Sequence, residues 1–186
     1  MPTTDWIPQC ISTIDGYHRY IMASVDQLND DQLFQRPGPG FNSVANIMRH
    51  LGGNLKSRWT NFLTEDGEKP DRNRDCEFED WDGDRKSLLE FFNNGWNCFR
   101  STLENLSDED LSAVVEIRGE KQSVPQAILR SLTHTSYHVG QIVMVARMVH
   151  ADEKAWQWMT IQPNQSQQFN KSTWGTAKSR GVAGES

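Results

Sequence analysis

The sequence predicts an all-α protein built from four long helices. Four segments place apolar residues three or four positions apart over several turns, which is the spacing of one face of a helix. Stretches rich in proline, glycine or charged residues interrupt this spacing between the segments. The chain has 186 residues, which is enough for one domain with a core closed by four helices.

A loop separates the first two predicted helices. Apolar spacing predicts helix one over about residues 6–28. A polar run and then prolines and glycines follow at 29–40, where a helix cannot continue, so a loop is predicted there. Asn42 or Ser43 is a suitable N-cap for helix two, whose apolar stripe continues to about Leu63.

Two glycines weaken the middle of helix two. Gly52 and Gly53 closely follow His50, and each lowers helix propensity by about 1 kcal/mol relative to alanine. One interpretation is that another backbone or a ligand approaches the helix here. The other is that the helix tolerates a local weakness, and the sequence leaves both open.

The second half of the chain contains a long connection, a hairpin and two more helices. Residues 64–84 are dense in charge and glycine without periodicity, which predicts a crossover. Helix three, with an aromatic stripe, is predicted over about residues 84–106. Alternating residues at 113–124, with a turn at Arg118–Glu120, predict a small hairpin. Helix four then spans about residues 124–149, with a proline in its first turn.

Residues 151–186 are rich in glutamine, asparagine and serine. They are predicted as a C-terminal tail that follows the helical domain of residues 1–150. We expect this tail to pack through Trp156, Trp158 and Phe169 and then to become flexible, with its last dozen residues mobile.

Composition excludes several classes of protein. The formal net charge is −6 and no stripe of lysine and arginine is present, so we do not expect a nucleic-acid partner. No apolar run is long enough to span a bilayer, and the N-terminus lacks a signal core, which predicts a cytoplasmic protein without a membrane partner. Three widely spaced cysteines indicate neither a disulfide framework nor a thiolate zinc site.

The residues most suggestive of chemistry are two histidines in the sequence HTSYH. His134 and His138 are four residues apart, so on helix four their imidazoles lie on one face. This pair can provide two ligands of a metal site, and His50 on helix two can supply a third. Three protein ligands leave positions open for water or substrate, as in catalytic metal sites. The alternative is that the pair serves polar packing or is exposed.

Two observations refine this metal hypothesis. Position 135 is Thr135 rather than glutamate, which argues against a zinc peptidase that would use the glutamate as general base. Five further polar side chains are candidates to orient a substrate or hold an imidazole around the site: Asn46, Asn54, Arg58, Tyr137 and Gln141. A solvated flank of helix two is the alternative for the first three.

The histidine in NIMRHLGGNLKSRW and the pair in HTSYHVGQIV resemble the DinB-like superfamily of metal-binding four-helix proteins. The resemblance covers about residues 7–150, including the crossover DGEKPDRNRDCEFE and the segment EIRGEKQSVPQAI before helix four. The tail WQWMTIQPNQSQQFN resembles the ending of a largely uncharacterised subgroup. The resemblance implies an up-up-down-down bundle in which His50, His134 and His138 bind a divalent metal, with zinc or nickel as the best candidates.

The resemblance also implies a range of activities. Superfamily members with assigned chemistry include bacillithiol S-transferases and mycothiol-dependent maleylpyruvate isomerase, in which a metal activates a thiol. We therefore expect a metal-dependent S-transferase or isomerase that acts on small molecules with a low-molecular-weight thiol. The alternative is a non-catalytic stress protein that binds a metal or a ligand. Superfamily members are often dimers, so a homodimer is also expected.

Overall fold

The computed structural model describes residues 6–150, 152 and 155–174. Six α-helices lie along this part of the chain: α1 (Trp6–Val25), α2 (Asp30–Phe34), α3 (Val44–Trp59), α4 (Arg85–Asn105), α5 (Val124–Val149) and α6 (Ser166–Trp174). Two short strands precede α5, namely β1 (Val114–Ile117) and β2 (Glu120–Ser123). Two 3-10 helices cover Asp75–Phe78 and Asp110–Ser112. The prediction of a mostly helical protein is confirmed.

The four long helices, α1, α3, α4 and α5, enclose the apolar core. Both α1 and α3 pack against α4 and against α5. The largest fully buried side chains include three from the predicted aromatic stripe of α4, together with one from α3: Phe92, Trp96, Phe99 and Trp59. Burial of a side chain of phenylalanine size contributes roughly 1.5–3 kcal/mol, so these residues anchor the core. The up-up-down-down order of the helices stays a prediction.

Helices α3 and α4 approach each other closely where two glycines meet. A Cβ atom at Gly95 of α4 would collide with the backbone of Gly52 in α3. A Cβ atom at Gly52 would in turn lie 3.0 Å from the Cα atom of Phe92. Two helices come this close only where a side chain is missing. The interpretation that another backbone approaches Gly52 is therefore confirmed.

The segment between α1 and α3 differs from the prediction. Residues 29–40 were predicted as a loop, but part of this stretch forms α2, because Asn29 and Gln32 make reciprocal side-chain to backbone hydrogen bonds of 2.9 Å. The polar run thus starts a new helix rather than ending the first. Helix α1 ends at Val25 and α3 ends at Trp59, both earlier than predicted.

Strands β1 and β2 form the predicted hairpin before α5. Ile117 pairs with Glu120, which leaves Arg118 and Gly119 as a two-residue turn. Their φ angles are 59° and 73°, and two such residues characterise a type I′ turn. The carboxylate of Asp66 accepts the backbone N–H groups of Arg118 at 2.8 Å and Gly119 at 2.7 Å. The crossover and the hairpin are therefore tied together.

The chain divides into two compact units, Met1–Glu153 and Lys154–Ser186. The second unit contains α6, which the sequence does not predict because its polar composition shows no apolar stripe. Trp156 is buried, whereas Trp158 and Phe169 are exposed. The dozen C-terminal residues expected to be mobile lie outside the described residues. Among the described helices, none combines the length and the apolar character needed to cross a membrane.

Candidate metal centre

Three histidines meet at the contact between α3 and α5. Nε2 of His134 lies 3.1 Å from Nε2 of His138 and 3.4 Å from Nε2 of His50. One ring nitrogen from each residue lies within 4.8 Å of the others. The structure thus brings together all three histidines that the sequence indicates, and the group could hold a metal ion.

Two of the three separations between these nitrogens match those of imidazoles around one ion. Zinc binds imidazole nitrogen at about 2.0–2.1 Å, so two nitrogens of a tetrahedral site are about 3.4 Å apart. At the same bond length, neighbouring positions of an octahedral ion are about 3.0 Å apart. The observed 3.1 and 3.4 Å fall within this range. These two distances are therefore compatible with one metal ion held by the three residues.

Hydrogen bonds hold the far nitrogens of two imidazoles. Nδ1 of His50 donates to Oε2 of Glu77 over 2.8 Å, and Nδ1 of His138 donates to Oε1 of Gln141 over 2.7 Å. Because these oxygens are acceptors, both Nδ1 atoms carry a proton, and in the neutral form of each imidazole the lone pair is then on Nε2. An acceptor of this kind behind a metal-binding histidine fixes its tautomer and orientation.

Glu77 is placed by the 3-10 helix of the crossover and by a glycine of α3. Its carboxylate is buried, and Nε and Nη2 of Arg72 each donate to it over 2.8 Å. A Cβ atom at Gly53 would collide with this carboxylate, so the glycine leaves room for it. Burial by itself raises the pKa of Glu77, but hydrogen bonds and charges from His50 and Arg72 outweigh it and hold the pKa below its usual value.

The site disfavours protonation of two imidazoles. Burial, followed by the positive charges of His138 and His50, lowers the pKa of His134 from 6.5 to about 3. Burial also lowers the pKa of His138 to about 4, although its hydrogen bond to Gln141 acts in the opposite direction. Both imidazoles are therefore neutral at pH 7, and the neutral imidazole is the form that binds a metal.

Lone pairs that face one another repel unless a proton or a metal ion lies between them. The Nε2 atoms of His50 and His138 both direct lone pairs toward Nε2 of His134. Nδ1 of His134 is buried and has no hydrogen-bond partner within the described part of the chain. A proton on Nε2 of His134 can be donated fully to only one of the two neighbours. A metal ion satisfies all three lone pairs at once.

A cavity of about 640 Å³ adjoins the three histidines. His50 and His134 are part of its lining, whereas His138 is not. A small molecule in the cavity therefore reaches the group from the side of His50 and His134. The volume lies in the range of small-molecule binding sites in proteins.

Four of the five predicted neighbours lie at the site. Asn54, Arg58 and Tyr137 line the cavity. Arg58 is buried, so for this residue the alternative of a solvated helix flank is wrong. Gln141 holds His138 through the hydrogen bond described above. The ring of Tyr137 also contacts that of His138, with the ring centres 4.9 Å apart.

Asn46 has a different role from the one predicted. Its Oδ1 accepts the backbone N–H of Ser43 over 3.1 Å, and its Nδ2 donates to the backbone oxygen of Glu79 over 2.6 Å. The prediction that Asn46 lines the substrate side of helix two is wrong, because its side chain is used in the capping box that starts α3.

Glu77 and Arg72 are the important residues that the sequence does not indicate. They lie in a crossover where many side chains are charged, so their residue types do not distinguish them. The one sequence feature that could indicate a group at this position is Gly53, a glycine inside a helix about one turn after His50. Its missing side chain indicates that another group approaches this face of the helix.

Comparison with known proteins gives a family without an assigned activity. A family model described as "Protein of unknown function (DUF1572)" matches residues 2–165. The matched range includes all four long helices and the three histidines. Among the curated proteins and the solved structures compared with the chain, none matches it. The chain belongs to this DUF1572 family of proteins of unknown function.

Proposed function

We propose that His50, His134 and His138 bind a divalent metal ion, either zinc or nickel, and that the protein is a metal-dependent enzyme acting on small molecules. The observation that carries this proposal is the convergence of three Nε2 atoms, two of them on imidazoles oriented by Glu77 and Gln141. The resemblance to the DinB-like superfamily supports the same ligand set and an up-up-down-down bundle.

The residues around the histidines define what the site offers a substrate. Glu77 accepts the Nδ1 proton of His50, which makes the opposite nitrogen a stronger ligand. Asn54 and Tyr137 place an amide and a phenol on the cavity lining, where they can orient polar groups. A bound metal ion would supply a Lewis acid that lowers the pKa of a thiol or a water.

Transfer or isomerisation with a thiol is the reaction class that we favour. The residues lining the cavity include no cysteine, so a thiol nucleophile has to enter with a small molecule. A thiolate formed near the three histidines, with its proton released to solvent, would attack an electrophile held in the same cavity. In S-transfer it would displace a leaving group; in isomerisation it would add to a double bond and be eliminated again after rotation about that bond. This proposal therefore includes two small molecules, a thiol and its electrophilic partner.

Cobalt substitution tests both the ligands and the thiol. The metal-free protein is loaded with Co²⁺ and titrated with 2-mercaptoethanol and with cysteine while its absorption spectrum is recorded. We expect visible bands typical of a site with nitrogen ligands, and a new sulfur-to-metal charge-transfer band when thiol is added. Cobalt bands that do not change when thiol is added would contradict the proposed thiol-dependent reaction. The absence of cobalt bands would contradict the proposed metal site as well.

The second candidate is a non-catalytic protein that binds a metal or ligand, such as a stress protein. It is favoured by the fact that the three histidines come from two helices, so an ion would join α3 to α5. The cobalt spectra separate the two candidates. A spectrum that does not respond to thiols or to other small ligands favours this structural role, because such a shell has no exchangeable position.

A further inference from the structure

The cavity beside the three histidines is lined by an unusual number of arginines. Five of its twelve lining residues are arginine and none is acidic. These arginines come from α3, the crossover, the hairpin turn and α5: Arg58, Arg72, Arg74, Arg118 and Arg130. The chain as a whole carries a formal net charge of −6. The arginines of the cavity therefore form a local positive region in a chain whose net charge is negative.

Three of the arginines share one carboxylate oxygen. Oε2 of Glu68 lies 2.7 Å from Nη2 of Arg58, 2.9 Å from Nε of Arg118 and 3.6 Å from Nη1 of Arg72. Glu77 is the second carboxylate bound to Arg72. Even if Asp66 is counted for its contacts at the hairpin turn, five guanidinium charges face three carboxylates. The lining therefore has more guanidinium groups than carboxylates that pair with them.

One guanidinium nitrogen in this group has no hydrogen-bond acceptor. The side chain of Arg72 is 5% exposed, and its Nη1 is buried without a hydrogen-bond partner among the described residues. The carboxylate of Glu68, at 3.6 Å, is too distant to accept from it. A buried donor of a charged group is destabilising when it is left without an acceptor. Arg72 also lines the cavity, so its incompletely paired charge lies beside it.

Two further arginines line the cavity and are not needed to hold its walls. Arg74 and Arg130 are exposed, and neither makes an ion pair with a carboxylate in the described part of the chain. The guanidinium of Arg74 lies 4.9 Å from the ring centre of Phe78, whose ring stacks on that of His50. These side chains are available to a ligand at the mouth of the cavity.

We propose that this cavity recognises a small anionic substrate, whose carboxylate or phosphate group binds the arginines while its reacting atom lies beside His50 and His134. Guanidinium groups bind both oxyanions through paired hydrogen bonds. This inference rests on the proposed function, because it names the substrate class of the same site. It also disfavours a neutral substrate, which would leave the excess positive charge of the cavity unpaired.

Anion binding can be tested with two simple probes. Malonate represents a dicarboxylate, and inorganic phosphate represents a phosphate group. Their binding is measured by isothermal titration calorimetry at low ionic strength, since screening weakens such contacts. The Arg74→Gln, Arg130→Gln double variant is compared with wild type. Arg19→Gln, Lys86→Gln is the charge-matched control, because neither of those residues lines the cavity.

We expect at least one probe to bind wild type with a dissociation constant in the millimolar range or tighter. The cavity variant should bind it at least fivefold more weakly, and the control variant should match wild type. A preference for malonate or for phosphate identifies which oxyanion the site recognises. Absence of binding of both probes, or equal weakening in the cavity and control variants, would overturn the inference.

A second arm separates this inference from the proposed metal site. The same titrations are made with the His134→Ala, His138→Ala variant, whose arginines are intact. Anion binding that persists in this variant supports the arginine cavity whether or not a metal binds. Metal binding by wild type without any binding of anions would overturn the substrate class and leave the metal site in place.

Discussion

Helix α3 makes two contacts of opposite chemical character. Toward α4 it presents Gly52, which allows the two backbones to approach so closely that Gly95 cannot carry a side chain. Toward α5 it presents His50, within a group of imidazoles and buried ion pairs beside a cavity of about 640 Å³. One helix therefore serves both a closely packed apolar interface and a polar, open one.

The difference between these two interfaces indicates that α3 contributes to stability on the side of α4 and to a binding site on the side of α5. The fit between α3 and α4 depends on the volumes of the side chains, so glycine and large apolar residues are sufficient to form it. The α5 side buries charges and lone pairs that cost free energy unless each has a partner. Such a costly arrangement is expected where a binding site has to be maintained. Four predictions test this division.

The largest effect is expected from removal of the carboxylate that supports the polar interface. Glu77→Ala leaves the buried guanidinium of Arg72 without its two hydrogen bonds and His50 without its acceptor. We expect a loss of about 3–5 kcal/mol in the free energy of unfolding, measured by urea denaturation. Glu79→Ala, two residues away and exposed, is the control and should change stability by less than about 0.5 kcal/mol. Similar effects of both variants would contradict this role of Glu77.

Metal should stabilise the protein through the α3–α5 interface alone. At about 100 times its dissociation constant, zinc or nickel should add about 2.7 kcal/mol to the free energy of unfolding. We expect this gain in wild type and in Gly140→Ala, whose added Cβ would meet no atom within 4 Å. It should be absent from His134→Ala, His138→Ala. A gain that survives in the histidine variant would place the metal elsewhere.

A side chain at the glycine contact should disturb only the apolar interface. Gly95→Ala forces α4 away from the backbone of Gly52, and we expect it to cost about 2 kcal/mol. Gly140→Ala, also inside a long helix but with space around it, should stabilise the protein by up to about 1 kcal/mol. Thermal or urea unfolding of both variants measures the contrast. Two stabilising substitutions would mean that the helices are not in close contact at Gly95.

The stability of the metal-free protein should depend on pH. In the unfolded chain His134 and His138 take up protons near pH 6.5, whereas in the folded protein their pKa values are about 3 and about 4. Below pH 6.5 the unfolded state thus binds more protons, and stability falls as pH falls toward about 4. Each histidine contributes at most about 1.4 kcal/mol per pH unit. Urea unfolding at pH 7, 6 and 5 should show a shallower slope for His134→Gln, His138→Gln than for wild type. Equal slopes would contradict the buried, neutral state of the pair.

Local signals made much of the fold and of the histidine group predictable. The i, i+4 spacing of His134 and His138 needs only a helix to place both imidazoles on one face. Gly52 and Gly53 correctly indicated close neighbours of α3, although they could not identify Gly95 and Glu77 as those neighbours.

The features that were missed depend on contacts between distant segments or on competing local hydrogen bonds. Arg72 and Glu77 acquire their role only when the crossover folds back on α3. Asn46 has the spacing of a residue that lines the site, but the start of the helix uses its side chain. Periodicity describes the faces of a helix. It does not describe which hydrogen bond a polar side chain will make.

The metal content of the purified protein shows whether the three histidines form a metal site. The chain is produced without an affinity tag, and its transition metals are quantified beside those of the His134→Ala, His138→Ala variant. We predict about one equivalent of zinc or nickel in wild type and a loss of that metal from the variant, with the same helical content in both. A wild-type protein that contains no transition metal, and that takes up none when zinc or nickel is added, would contradict it.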